Sequence, residues 1–221
     1  MEIKVLTNVL KANDALAEEN QEFFRKQGMF VLNLISSPGA GKTTVLEKTL
    51  EYAQKSLLKI SVIEGDIATT LDAQRIGKFE RPVMQINTGG GCHLDANQVK
   101  KAIQSGFISD DTNLLIIENV GNLVCPAEYN LGEDYKVVVL SVAEGDDKPV
   151  KYPSIFTKAH VVIINKIDLL GLCDFDLEKA KKDITQLNPE AIIFEISARK
   201  ETGIDTWINW LETHINVPNS I

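Results

Sequence analysis

Apolar residues fall in short, dense runs along this chain, separated by longer segments in which they recur at helical spacing. The dense runs are Met29–Ile35, Leu58–Ile63, Pro82–Ile86, Asn113–Ile117, Lys136–Val142, Val161–Ile164 and Ala191–Ile196. They are rich in Val, Ile and Leu with little polar alternation, so they predict strands covered on both faces. The intervening spacing predicts helices over Lys42–Lys55, Thr70–Lys78, Leu94–Gln104, Phe175–Gln186 and Ile204–His214. Strands alternating with helices imply right-handed βαβ units and an α/β fold, a doubly wound and mainly parallel sheet. Ligands of such folds bind at the carboxyl ends of the strands.

Ahead of the first strand, residues 1–28 are amphipathic, with Leu10, Ala15, Leu16, Phe23 and Phe24 set among polar side chains. They predict a helical extension docked on the domain or on a partner, closed by Gly28 in a left-handed cap. Residues 29–221 form the rest of what is expected to be a single domain.

Composition narrows the functions available. Of 221 residues, 44% are hydrophobic and 24% charged, with a net charge of −8. That balance argues against an extended nucleic-acid surface, which needs clustered Lys and Arg. No apolar run reaches the ~18–20 residues of a membrane span, and the N-terminus has no export pattern, so a cytoplasmic location is expected. An odd number of cysteines, three, does not suit a disulfide framework in that compartment.

Candidate chemistry sits where the predicted strands end. Ser36-Ser-Pro-Gly-Ala-Gly-Lys-Thr43 joins the first strand to the first long helix and has the form of a P-loop. Gly39, Ala40 and Gly41 let backbone N–H groups close around phosphate oxygens, with Thr44 following at the helix start. Lys42 is placed for the β- and γ-phosphates and Thr43 for Mg²⁺. Ser36 stands where the motif usually begins with Gly. The carboxylates of Glu64-Gly-Asp66 and Glu118-Asn-Val-Gly121 fall beside the same metal region. Asp66 and Glu118 are candidate Mg²⁺ ligands; either could instead cap a helix or pair with a lysine. Gly121 could bring its N–H to the γ-phosphate. No Gln follows Gly121 and no arginine stands in an evident catalytic position, so unaided hydrolysis is expected to be slow.

Base selection has its own elements. Asn165-Lys166-Ile-Asp168 follows the strand ending at Ile164, and Ser197-Ala198-Arg199 follows the strand ending at Ile196. A carboxylate at Asp168 can accept from guanine N1–H and the 2-amino group together, a donor pair that adenine lacks. Asn165 is expected to tie this loop to the P-loop, Lys166 to cover the base, and the 197–199 loop to present N–H to guanine O6. The order and spacing favour GTP over ATP.

Cys92-His93, in a Gly-rich loop, and Cys125, seven residues after Glu118, offer thiolate and imidazole donors suited to Zn²⁺ or a similar transition metal. By residue type alone they are as consistent with core thiols. Three ligands leave a tetrahedral site open, or call for ligands shared across a two-fold dimer. Cys173, His160 and His214 carry no ligand pattern. Glu144–Lys151 is expected to be a solvated loop, although Lys148 could reach the nucleotide of a neighbouring subunit.

The elements S-S-P-G-A-G-K-T-T, E-G-D, N-T-G-G-G-C-H-L-D-A, E-N-V-G-N-L-V-C-P, E-G-D-D-K-P-x-K-Y-P and N-K-I-D-L-L resemble the HypB family of hydrogenase nickel-incorporation GTPases, from about Val31 to Trp210. The resemblance implies a P-loop NTPase of the SIMIBI type that dimerises, binds metal through Cys92, His93 and Cys125, and delivers Ni²⁺ to [NiFe]-hydrogenase. It also implies the small zinc-containing chaperone HypA and the hydrogenase large subunit as partners. Residues 1–30 contain neither the Cys-rich nor the His-rich tract of some members, which argues against nickel storage there. Whether the Cys/His site takes Zn²⁺ or Ni²⁺ stays open. A related urease-accessory GTPase is the alternative, but its Cys-Pro-His metal motif is absent.

Overall fold

The computed structural model describes residues 9–67 and 70–215. The first eight residues, within the predicted N-terminal helix, lie outside them. In chain order the elements begin α1 (Val9–Lys26), β1 (Phe30–Ser36), α2 (Lys42–Ala53), β2 (Ile60–Asp66) and α3 (Leu71–Gly77). They continue β3 (Val83–Asn87), α4 (Ala96–Gln104), β4 (Leu114–Glu118), α5 (Cys125–Glu128) and β5 (Tyr135–Ser141). The last are α6 (Lys148–Lys151), α7 (Pro153–Lys158), β6 (Val161–Asn165), α8 (Leu177–Leu187), β7 (Ile192–Glu195) and α9 (Ile204–Ile215).

The strands form one seven-stranded sheet in the order β3-β2-β4-β1-β5-β6-β7. Every pairing is parallel, as the continuous apolar runs require. The strand order reverses on either side of β1, so the crevice at its carboxyl end is the topological switch point. Successive residues of a strand feed opposite layers. Leu32, Leu34, Val137 and Val139 pack with Val45, Leu46, Trp207 and Leu211 of α2 and α9. On the other face, Val138, Leu140 and Val162 meet Phe156 and Ile184, while Val31, Ile63 and Ile117 meet Phe24 and Val99. Asn33 lies on that second face, between its two apolar clusters, with no exposed surface.

α1 packs along α4. It ends as Gly28 predicts: φ is +68°, Gly28 N–H donates to Arg25 O and Met29 N–H to Phe24 O, satisfying two orphan carbonyls of the last turn. The buried Asn20 carboxamide donates to Ala96 O at 2.9 Å and Leu131 O at 3.0 Å, pinning α1 to the loop before β5.

Two expectations need correction. Cys125–Glu128, Lys148–Lys151 and Pro153–Lys158 are short helices that the apolar periodicity does not register. Each has a proline in its first positions, which presets helical φ where the missing N–H costs nothing. The 144–151 segment is also not a free solvated loop. A 3₁₀ turn over Val142–Glu144 brings the Glu144 carboxylate back onto Ser141 N and the Ser37 hydroxyl of the P-loop.

Asn20→Ala should leave two buried carbonyls without their donor and cost about 1–3 kcal/mol. Urea denaturation followed by circular dichroism measures this, and an unchanged midpoint would show that the pin contributes nothing.

Candidate nucleotide and metal sites

At the end of β1, Ser36 is buried and its hydroxyl donates to Ser37 O at 2.6 Å. The same hydroxyl accepts from Lys42 Nζ at 3.0 Å, so a serine in place of the usual glycine gives the lysine ammonium a resting place. Gly41 precedes α2 with φ +99°. A Cβ there would lie 2.5 Å from Asn165 Nδ2, so the approach of the two loops requires glycine. Lys42, Thr43, Asp66, Glu118 and Gly121 line a cavity of about 530 Å³ with the P-loop backbone.

The carboxylates are unevenly satisfied. Thr43 Oγ1 donates to Glu118 Oε1 at 2.7 Å, while Glu118 Oε2 is buried with no hydrogen-bond partner. Glu64 is the register partner of Glu118 on the adjoining strand, and its Oε2 is likewise buried and unpartnered. Both residues lie within strands, Glu64 inside β2 and Glu118 as the last residue of β4, rather than in loops after them. Burial raises the Glu118 pKa against the opposing pull of Lys42 and the Thr43 hydroxyl. Burial, with Glu118 and Asp66 alongside, pushes Glu64 up to about 8. Two neighbouring carboxyl groups in low dielectric resist simultaneous ionisation.

Arg75 is a cavity residue that sequence reasoning missed. Its guanidinium lines the same space, held by Glu47 through Nε at 2.9 Å and Nη2 at 2.6 Å, and by Asp72 at 3.0 Å. It sits inside an ordinary-looking helix, and only the packing of α3 against α2 turns it toward the P-loop.

A second cavity, of about 320 Å³, continues from Gly41 and Thr44 to Lys166, Asp168, Ala198 and Arg199. Asn165 joins its walls: Nδ2 donates to Ala40 O at 3.0 Å, and Oδ1 accepts from Lys166 N at 2.8 Å and Ala198 N at 3.1 Å. Lys166 takes a left-handed φ of +64° and its ammonium donates to Gly39 O at 2.7 Å. The Asp168 carboxylate is exposed and accepts from the Ser197 hydroxyl.

The thiols and imidazole expected as metal ligands meet within one chain. Candidate donor atoms of Cys92, His93 and Cys125 all lie within 4.8 Å of one another. The Cys92 and Cys125 sulfurs are 2.8 Å apart, and His93 Nδ1 is 3.5 Å from the Cys92 sulfur. The two loops are therefore already in contact in a single subunit. The hydrogen bond with the Cys125 thiol, then burial, raises the Cys92 pKa. Burial lowers that of His93, which favours the neutral, coordinating imidazole. Tyr129 covers the His93 ring with centroids 3.8 Å apart.

Residues 30–195 match the family described as CobW/HypB/UreG, nucleotide-binding domain. The hydrogenase maturation factor HypB of Escherichia coli K12 is 49% identical over 211 residues, 96% of this chain and 72% of that protein. The chain belongs to the HypB family. The structure of HypB from Helicobacter pylori in complex with nickel superposes with a TM-score of 0.86 at 42% identity, covering 92% of this chain and 95% of that one. At the level of fold alone, the signal recognition particle receptor FtsY of Elizabethkingia anophelis matches with a TM-score of 0.51 and 16% identity, over 85% of this chain and 67% of FtsY. As a HypB-family protein the chain is a P-loop GTPase of the SIMIBI type.

The other thiol and histidines stand apart from these sites. Cys173 is half-buried against the α8 layer. His160 accepts from Lys136 N and stacks on Tyr135, and His214 lies at a tilt against Trp210. Lys148 lies 5.3 Å over the Tyr152 ring of its own chain.

A raised carboxyl pKa means that the folded apoprotein keeps a proton that the unfolded chain releases. Between about pH 4.5 and about 8, stability should therefore fall as pH rises, because the unfolded state binds fewer protons there. Glu64→Gln should flatten that slope. Denaturation midpoints of the apoprotein at pH 5 and pH 8, for wild type and variant, measure it; equal slopes would show that Glu64 ionises normally.

Proposed function

We propose that this GTPase binds GTP with Mg²⁺ and uses its hydrolysis to gate the delivery of Ni²⁺ into a [NiFe]-hydrogenase. The observation that carries the reading is the continuity of the 118–125 segment, which begins at Glu118 in the phosphate cavity and ends at Cys125 in the thiol–imidazole cluster.

In this reading the N–H groups of Gly39, Ala40, Gly41, Lys42 and Thr43 surround the β-phosphate, and Thr44 flanks the α-phosphate. The Lys42 ammonium leaves Ser36 for the β- and γ-oxygens. Hard oxygen donors from Thr43, Glu118 and Asp66 suit Mg²⁺, and the unpartnered buried Glu118 Oε2 is an acceptor in need of a cation or a metal-bound water. Thr43, Glu118 and Asp66 would hold Mg²⁺ there, and the ion would supply positive charge to offset the charge developing on the phosphates. Gly121 supplies backbone N–H near the γ-phosphate. Asp168 reads guanine N1–H and the 2-amino group, Ser197 orients that carboxylate, and the Ala198–Arg199 backbone faces O6. Lys166 lies along the base, and Asn165 holds the loops together. Ni²⁺ is the cargo, bound by Cys92, His93 and Cys125; their soft donors would take Zn²⁺ as well.

Three ligands invite a fourth from a second copy, and Val124, beside Cys125, is 59% exposed. A GTP-favoured homodimer with a shared site follows. HypA as nickel donor and the hydrogenase large subunit as acceptor complete the reading. No described helix is long and apolar enough to cross a membrane, and a cytoplasmic location belongs to this proposal.

Asp168→Asn should shift preference from GTP toward XTP, because xanthine presents an acceptor where guanine presents its 2-amino donor. Competition binding measures the shift, and a variant still preferring GTP would refute the base assignment.

Cys125→Ala should weaken Ni²⁺ binding and dimer formation together while leaving GTP affinity within about twofold, since no phosphate contact is lost. Nickel titration with light-scattering mass in GDP and nonhydrolysable-analogue forms tests this, alongside single-turnover nickel release with GTP and with the analogue. Release that proceeds equally with the analogue would mean that hydrolysis only resets a nucleotide-controlled carrier.

A further inference from the structure

We propose that Asn119 is the positioning residue through which the phosphate cavity sets the geometry of the Cys92–His93–Cys125 site, with Asn122 as its outer partner. This deepens the nickel-delivery reading and rests on it.

Asn119 directly follows Glu118 and is 1% exposed. Its carboxamide oxygen accepts from Leu94 N at 3.0 Å and from Val120 N at 2.9 Å. The first of these belongs to the residue after His93, and the second to the backbone leading to Gly121. A single oxygen thus ties the metal loop to the segment that faces the γ-phosphate. Asn122 makes the matching contact from outside: Nδ2 donates to Cys92 O at 3.2 Å, while Oδ1 accepts from Val124 N at 2.9 Å. Between them the two asparagines hold the peptide bonds on either side of His93.

The buried polar chain behind Asn119 allows it one orientation. Lys136 Nζ and Leu131 N donate to the Glu133 carboxylate, which can only accept. Asn33 must therefore turn its Nδ2 toward Glu133, at 3.1 Å. That leaves Asn33 Oδ1 to accept from Asn119 Nδ2, at 3.2 Å. Asn119 must then point its oxygen at the two backbone N–H groups. A flip would set oxygen against oxygen and orphan two buried donors. The carboxamide consequently behaves as a rigid link: a shift of the 119–121 backbone must either move Leu94, and with it Cys92 and His93, or break buried hydrogen bonds. Coupling of this kind is carried where a packed element has discrete arrangements.

The test is Ni²⁺ affinity of the full chain, measured by competition with a metallochromic chelator, in GDP and in Mg²⁺–GTP-analogue forms. In wild type the two affinities should differ, and linked sites typically differ by about 5–150-fold. In Asn119→Ala and in Asn122→Ala the ratio should fall to within about twofold of one, while analogue affinity is kept. The nickel–thiolate charge-transfer absorption should persist, because both sulfurs remain; a merely structural lesion would weaken nickel binding in both nucleotide states and keep the ratio. Asn122 is half-exposed, so its variant decides the matter if Asn119→Ala does not fold. A wild-type ratio retained in the variants overturns the role of Asn119 and leaves the delivery reading standing. A ratio of one in wild type overturns the nucleotide gating itself, and this proposal with it.

Discussion

A carboxamide at the end of β6 holds the nucleotide cavities in their shape. Asn165 donates to the P-loop at Ala40 and accepts from Lys166 and from Ala198, so three loops from three strand ends share one buried side chain. Its consequences appear in its neighbours. Gly41 has no room for a Cβ, and Lys166 accepts a left-handed backbone that a lysine rarely adopts. A local conformational cost is borne at Lys166 so that the walls of the two strand-end cavities keep a fixed separation, which would lower the ordering cost of binding a ligand across them.

The parts of this arrangement that were legible in the sequence are those carried by short contiguous segments. The apolar runs that mark β1, β6 and β7 stop abruptly at Ile35, Ile164 and Ile196, and the candidate chemistry begins at the next position. Gly28 marked the end of α1 because its left-handed requirement is local. The orientation of Arg75, the side-by-side placement of Glu64 and Glu118, and the chain from Lys136 to Asn119 were not legible. Each depends on residues brought together by strand pairing or tertiary packing rather than by spacing alone; Asn33 and Glu133, for example, are 100 positions apart. The short Pro126, Pro149 and Pro153 helices were missed for a different reason. They are too brief to show an apolar period, and only the proline at each start betrays them.

Charge in the phosphate cavity is unbalanced in a way that a ligand would relieve. Glu64, Asp66 and Glu118 converge there, and the ammonium of Lys42, hydrogen-bonded to the Ser36 hydroxyl, opposes the effect of burial on Glu64 and Glu118 without overcoming it. Buried carboxyl groups with unpartnered oxygens are costly unless protonated or paired. The fold tolerates this because strand-end positions around the P-loop are fixed by the sheet on both sides, so repulsion cannot be relaxed by moving the backbone. A divalent cation is the natural complement, and its arrival should release protons from the same groups.

The same logic distinguishes the Cys92–His93–Cys125 cluster, a candidate metal site, from an ordinary thiol pair. Two sulfurs and an imidazole nitrogen held within 4.8 Å are poised by backbone bonds to Asn119 and Asn122, not by packing of the thiols into a core, since Cys92 and Cys125 are both only half-buried. A structural metal site would be closed and sheltered; this cluster is half-exposed and tied to the segment that leads out of the Glu118 cavity. An open, three-donor site can exchange its cargo with an incoming ligand without first breaking the fold. In the proposed delivery cycle its affinity would be set by how well two loops stay aligned, a property that bound nucleotide would change.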